Sequence, residues 1–80
     1  MTTRFREQMP YAEATRGFLR AGRELVGIGY YGMAATVLRD GRAAAERFLR
    51  AGLSAQEDHQ IGATLAAIGT ELEALIGEQS

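Results

Sequence analysis

Cysteine is absent from this chain, and with it go disulfides, thiolate zinc sites and a cysteine nucleophile. A small domain without such staples fits a reducing compartment, so a cytoplasmic location is expected. Lysine is absent too. All nine basic residues are arginine, whose planar fork grips carboxylate or phosphate through two parallel bonds. Long apolar runs are missing. The longest uncharged stretch, Leu25–Leu38, holds fourteen residues, and a membrane-spanning helix needs roughly 17–25. A buried helix in water is the expectation there, with no membrane partner. The opening Met-Thr-Thr-Arg-Phe-Arg-Glu-Gln-Met-Pro lacks the apolar core of a signal peptide.

Histidine occurs once, at His59, and proline once, at Pro10. Position 56 is Gln, so no Glu-x-x-His pair exists, and Glu57 and Asp58 beside His59 do not complete a metal site. Glu71 and Glu73 project to different sides of a helix and make no acid/base pair. The two serines, Ser54 and Ser80, read as a helix cap and a terminal residue. No catalytic constellation is readable, and neither a cofactor nor a metal is expected.

What is present is helical punctuation. Eighty residues make one domain with a modest core. Residues 1–9 read as an arm, with Phe5 and Met9 able to dock and Arg4 and Arg6 in water. Pro10 suits the first position of a helix, where its missing N–H costs nothing. A first helix is expected over 10–26. At 100° per residue, Tyr11, Ala14, Phe18, Ala21, Leu25 and Ile28 share an apolar face, flanked by Leu19, Gly22 and Val26. Arg16, Arg20 and Arg23 fall on the opposite face.

The uncharged stretch then reads as a buried corner between helices. Gly27, Gly29 and Gly32 disfavour a continuous helix and can take positive φ. Tyr30 and Tyr31 should be partly covered there. Gly27-Ile-Gly-Tyr-Tyr-Gly32 also matches G-x-G-x-x-G, the dinucleotide-binding fingerprint. Its context fails: only Leu25-Val26 precedes it as apolar strand, and no second strand ending in an acid follows.

A second helix is expected over 32–51, with Met33, Val37, Ala44 and Phe48 central to its apolar arc and Ala34, Leu38, Ala45 and Leu49 beyond. Gly41 inside the arc implies close backbone approach. Arg42–Glu46 and Glu46–Arg50 are both i,i+4 pairs on the outer face. Gly52 reads as a C-terminal cap, and Ser54-Ala-Gln-Glu57 as a capping box in which Glu57 reaches back to Ser54. A third helix is expected over 55–76. Ile61, Leu65, Ile68, Leu72 and Leu75 form its seam, with Gly62 and Gly69 beside it for a close neighbour. Ala63, Ala67, Thr70 and Ala74 lie behind. Gly77 should end it, leaving 78–80 as a tail. The fold class is therefore all-α: a small up-down-up three-helix bundle, open to pairing as a homodimer.

Charge is uneven along the chain. Residues 1–52 carry all nine arginines against five acids; residues 53–80 carry five acids and no base. The expected function is a non-enzymatic protein–protein interaction module: an adaptor, an assembly factor or a small inhibitor of a larger complex, of which an anti-CRISPR protein of phage origin is one example. Its docking residues would be Arg16, Arg20, Arg23, Arg39, Arg42 and Arg50, with Tyr30 and Tyr31 at the corner. An acidic protein surface is the expected partner, because Arg and Tyr are enriched at binding hot spots. A second copy of the chain is a further expected partner. Nucleic acid on the same arginines is the alternative.

Overall fold

The computed structural model describes residues 9–79. They form three α-helices, α1 (Pro10–Gly27), α2 (Tyr31–Leu49) and α3 (Ala55–Gln79), and every helix packs on the other two. This is the all-α three-helix arrangement that the spacing predicted. The expectations for Phe5, Arg4 and Arg6 lie outside the described residues.

Pro10 sits in the first turn of α1, and Met9 before it makes no side-chain cap. The open N–H groups of that turn are closed from elsewhere. Glu57 Oε2, from the first turn of α3, accepts from Tyr11 N at 2.8 Å and from Ala12 N at 3.1 Å. The capping box is therefore half formed. Ser54 Oγ accepts from Glu57 N at 3.1 Å, but the Glu57 carboxylate turns across to α1 instead of back to Ser54. The α1 end offers it two donors, one more than the Ser54 backbone can. Met9 packs with Leu53 and Leu65 around buried Ala12, Ala45 and Ile61.

The corner closes as a Schellman motif. Gly29 takes φ +86°, its N–H donates to Val26 O at 3.0 Å, and Tyr30 N donates to Leu25 O at 2.9 Å. Tyr30 then begins α2, its carbonyl accepting from Ala34 N at 2.9 Å. Of the three corner glycines only Gly29 needs the left-handed region; Gly27 and Gly32 are helical. Gly52 takes φ +78° after α2, as its position after the second helix implied.

Two expected faces differ. On α1 the buried residues are Ala12, Thr15 and Gly22, while Tyr11, Ala14 and Ile28 are exposed. On α2 the arc is mostly as expected, with Ala34, Leu38, Gly41, Ala44 and Ala45 buried; its edge shifts, so that Ala35 is buried and Met33 exposed. Small residues decide both differences. A Cβ on Gly22 would collide with Leu38, and one on Gly41 would lie 2.5 Å from Phe18 Cβ. The α1 and α2 backbones thus approach at Gly22 and Gly41, with buried Leu38 and half-buried Phe18 packed on those glycines. Thr15 fits inside because its hydroxyl donates to Tyr11 O at 2.8 Å.

The seam of α3 is as expected: Ile61, Ile68, Leu72 and Leu75 are buried and Leu65 is half-buried. Gly62 and Gly69 are not close-approach points, since a Cβ on either would meet nothing within 4 Å. Gly77 does not end α3, which runs on to Gln79, so residues 78 and 79 are helical and not the expected tail; Ser80 lies outside the described residues. No positive φ is adopted at Gly77, and a helical glycine costs only about 1 kcal/mol.

Candidate functional site

The six candidate arginines do not share one surface. Arg16, Arg20 and Arg23 follow one another along α1 at the edge facing α3, and two of them are engaged with their own chain. Arg16 Nη1 donates to Gln60 Oε1 at 2.8 Å, and Arg16 Nη2 to Glu13 Oε2 at 2.7 Å. Arg23 Nε donates to Glu71 Oε2 at 3.0 Å. Arg20 lies exposed between them, in a groove of about 370 Å³ that Arg16, Leu19, Arg23 and Glu24 also line. Three guanidinium groups thus share this face with three carboxylates, Glu13, Glu24 and Glu71. Opposite charges so close cancel beyond a Debye length of about 8 Å in physiological salt. The hydrogen bond and charge of Arg16 hold the Glu13 carboxyl below its ordinary value of 4.5.

Arg39 and Arg42 lie elsewhere, in the groove between α2 and α3. They flank a floor of Ala35, Leu72, Leu75 and Ile76 that encloses about 100 Å³. Neither forms an ion pair among the described residues, where the pairs are Arg16–Glu13 and Arg23–Glu71. The expected Arg42–Glu46 and Glu46–Arg50 pairs are not among them. Arg50 caps the C-terminus of α2, two turns beyond Arg42, and stands apart from both groups. Arg47, which the sequence reading did not single out, is exposed in the last turn of α2.

The corner is not buried. Ile28 is 66% exposed, Tyr30 55%, Tyr31 36% and Met33 57%. An uncharged run implies an interior position, because apolar residues usually cover one another. Here the turn and the first turn of α2 leave Ile28, Tyr30 and Met33 facing water. Below the corner, Ala14, Gly17, Phe18, Ala21 and Val37 line a shallow apolar hollow of about 360 Å³ on the outer side of α1 and α2. The helical spacing places Ala14, Phe18, Ala21 and Val37 on apolar faces expected to be inner, and no local signal distinguishes an outer apolar face from an inner one.

His59 is exposed, and no three His, Asp or Glu among the described residues lie close enough together to hold a metal ion. Among the described residues no helix is long and apolar enough to cross a membrane. Gly27 and Gly32 lie within helices, so Gly27–Gly32 is a helix corner and not a strand-to-helix phosphate loop. The chain matches no family model, no curated protein and no solved structure.

Proposed function

We propose that this chain is a non-enzymatic protein–protein interaction module, an adaptor, assembly factor or small inhibitor, that docks on a partner with an acidic surface. The observation that carries this reading is the α2/α3 groove. Arg39 and Arg42 flank an apolar floor there, and neither is neutralised by an ion pair among the described residues. Guanidinium groups beside apolar surface suit a docked carboxylate, because partial desolvation strengthens the charge-assisted bonds it makes. Arg16 and Arg23 support the groove less directly, since their strongest bonds stay within the chain.

The test is capture of partners from nuclease-treated source-cell lysate by tagged protein, read by mass spectrometry. An acidic protein held by the wild type and lost with the double variant Arg39→Glu, Arg42→Glu is expected. Arg50→Glu, on a separate surface, should retain it. Capture that survives the double variant sinks this assignment. Binding to a nucleic-acid duplex that weakens steeply with salt would favour the alternative, because each neutralised phosphate releases counterions.

A further inference from the structure

We infer that the α2/α3 groove takes an amphipathic helix of the partner, with one aliphatic side chain in the hollow and two carboxylates, one turn apart, on Arg39 and Arg42. This rests on the reading that an acidic partner docks there, and it adds the chemistry and shape of the segment that docks.

The size of the hollow limits its occupant. It encloses about 100 Å³. Small-molecule sites enclose about 300–1,000 Å³, so a cofactor or metabolite would not fit inside. A single aliphatic side chain suits it, because Ala35, Leu72, Leu75 and Ile76 supply an apolar lining.

Charge sets the flank of the docked segment. The last arginine of the chain is Arg50, and residues 53–80 carry five acids and no base. The groove is therefore one-sided. Its cations, Arg39 and Arg42, come from α2, while Leu72, Leu75 and Ile76 come from α3. The nearby acids of α2, Asp40 and Glu46, are exposed and pair with neither arginine among the described residues. The complement is a segment with carboxylates along one edge and an apolar residue beside them.

Spacing sets its secondary structure. Arg39 and Arg42 are three helical residues apart, so they share a face about 4.5 Å apart along α2. Carboxylates three or four residues apart on a second helix repeat that step at about 4.5–6 Å. Same-side residues of a strand lie about 6.6 Å apart and match it less well.

Open space lets a helix approach. Gly69 lies one turn before Leu72 and two before Ile76 on the same side of α3. A Cβ on Gly69 would meet nothing within 4 Å, and the same holds at Gly62, one heptad earlier. The trough thus continues along α3 past the hollow, and a helix backbone can lie close over it, as in helix-in-groove recognition.

The probe is a capped alanine-based peptide of about 16 residues, long enough to be helical. It carries two glutamates one turn apart and a leucine on the adjoining face. Titrated into the isotope-labelled full chain, it should give saturable amide shifts centred on Ala35, Gly69, Leu72 and Leu75. Replacing both glutamates by glutamine, or the leucine by alanine, should weaken binding roughly tenfold, the worth of one buried aliphatic side chain or one charge-assisted pair. Binding to the variant Arg39→Gln, Arg42→Gln should fall as it does for the glutamine probe. Gly69→Leu fills the trough without touching a charge and improves helix propensity, so it should block the probe without lowering the melting temperature. Absence of groove shifts at millimolar probe overturns the inference. So does equal binding of the glutamine or alanine probe, or undiminished binding to Gly69→Leu. The underlying reading fails separately. Lysate capture lost in Arg39→Glu, Arg42→Glu but intact in Gly69→Leu removes the docked helix alone, whereas capture that survives both removes the groove as well.

Discussion

Glu57 Oε2 accepts the backbone N–H groups of Tyr11 and Ala12, so one side chain from the start of α3 closes the start of α1. The two residues bridged, Glu57 and Ala12, are 45 apart in sequence and both buried. Pro10 and Met9 supply no cap of their own, and a carboxylate suits the positive end of a helix. Glu57→Ala leaves two donors without partners, one of them buried. The expected loss is about 1–3 kcal/mol, the cost of an unsatisfied buried polar group. For a domain of this size each 1 kcal/mol lowers the melting temperature by about 4–8 °C. Glu57→Gln keeps an acceptor oxygen and should lose less. Thermal unfolding followed by circular dichroism decides it; equal stability of Glu57→Ala and wild type would show that the bridge contributes nothing.

The glycines separate close contacts from open space. Gly41→Ala places a Cβ 2.5 Å from Phe18 Cβ, an atom tied to the α1 backbone, so the two helices must part. Overpacking of this kind costs about 1–3 kcal/mol and outweighs the helix propensity gained. Gly22→Ala drives against Leu38, which is fully buried and has no room to turn. Gly62→Ala and Gly69→Ala meet nothing within 4 Å and should each stabilise by about 0.5–1 kcal/mol. Urea midpoints of the four variants should therefore split two below and two above the wild type.

Helix existence was legible because seams such as Ile61, Ile68, Leu72 and Leu75 repeat at helical spacing on a single side. Gly52 and Ser54 marked the second connection because their backbone and capping chemistry is local. The face of α1, and the burial of Ala35 in place of Met33 on α2, were not legible for a different reason. Both helices carry apolar residues over a wide arc, and size ranks Phe18 and Met33 above Gly22 and Ala34. Packing reverses that order, since the closest backbone approach needs the smallest side chains. The destination of the Glu57 carboxylate depends on which helix start lies beside it. That is a property of topology, and a four-residue motif does not carry it. Among the candidate arginines, Arg16 has one local partner, Glu13, but its second partner Gln60 and the Arg23 partner Glu71 lie on α3, more than forty residues away.

The ion pair at the start of α1 makes a pH prediction. Glu13 titrates below its ordinary value because Arg16 hydrogen-bonds it and lends it positive charge. A carboxyl lowered on folding stabilises the fold above its unfolded value. That contribution fades as pH falls through the lowered value. Arg16→Gln should raise Glu13 toward its ordinary titration, with Arg20 still holding it slightly down, and remove the pair's share of the acid-side slope. Carboxyl chemical shifts followed against pH would register the change. An unaltered Glu13 titration in Arg16→Gln would mean that Arg16 is not the cause.

The corner distinguishes a structural turn from a phosphate-binding loop at the level of single glycines. A loop of the G-x-G-x-x-G type uses all its glycines, for the turn, for backbone approach to the ligand and for helix packing. A Schellman corner uses one. Gly29 alone holds a positive φ, and a Cβ on Gly27, Gly29 or Gly32 would meet nothing within 4 Å. Gly29→Ala should therefore cost about 1–2 kcal/mol, the penalty of a left-handed residue that carries a Cβ. Gly29→Asn should cost less, since Asn tolerates that region. Gly27→Ala and Gly32→Ala, in helical backbone, should be neutral or stabilising, because alanine favours the helix. Equal losses at all three positions would contradict the corner. The ordered result, with Gly29 alone sensitive, would show that this glycine run exists to turn one helix into the next.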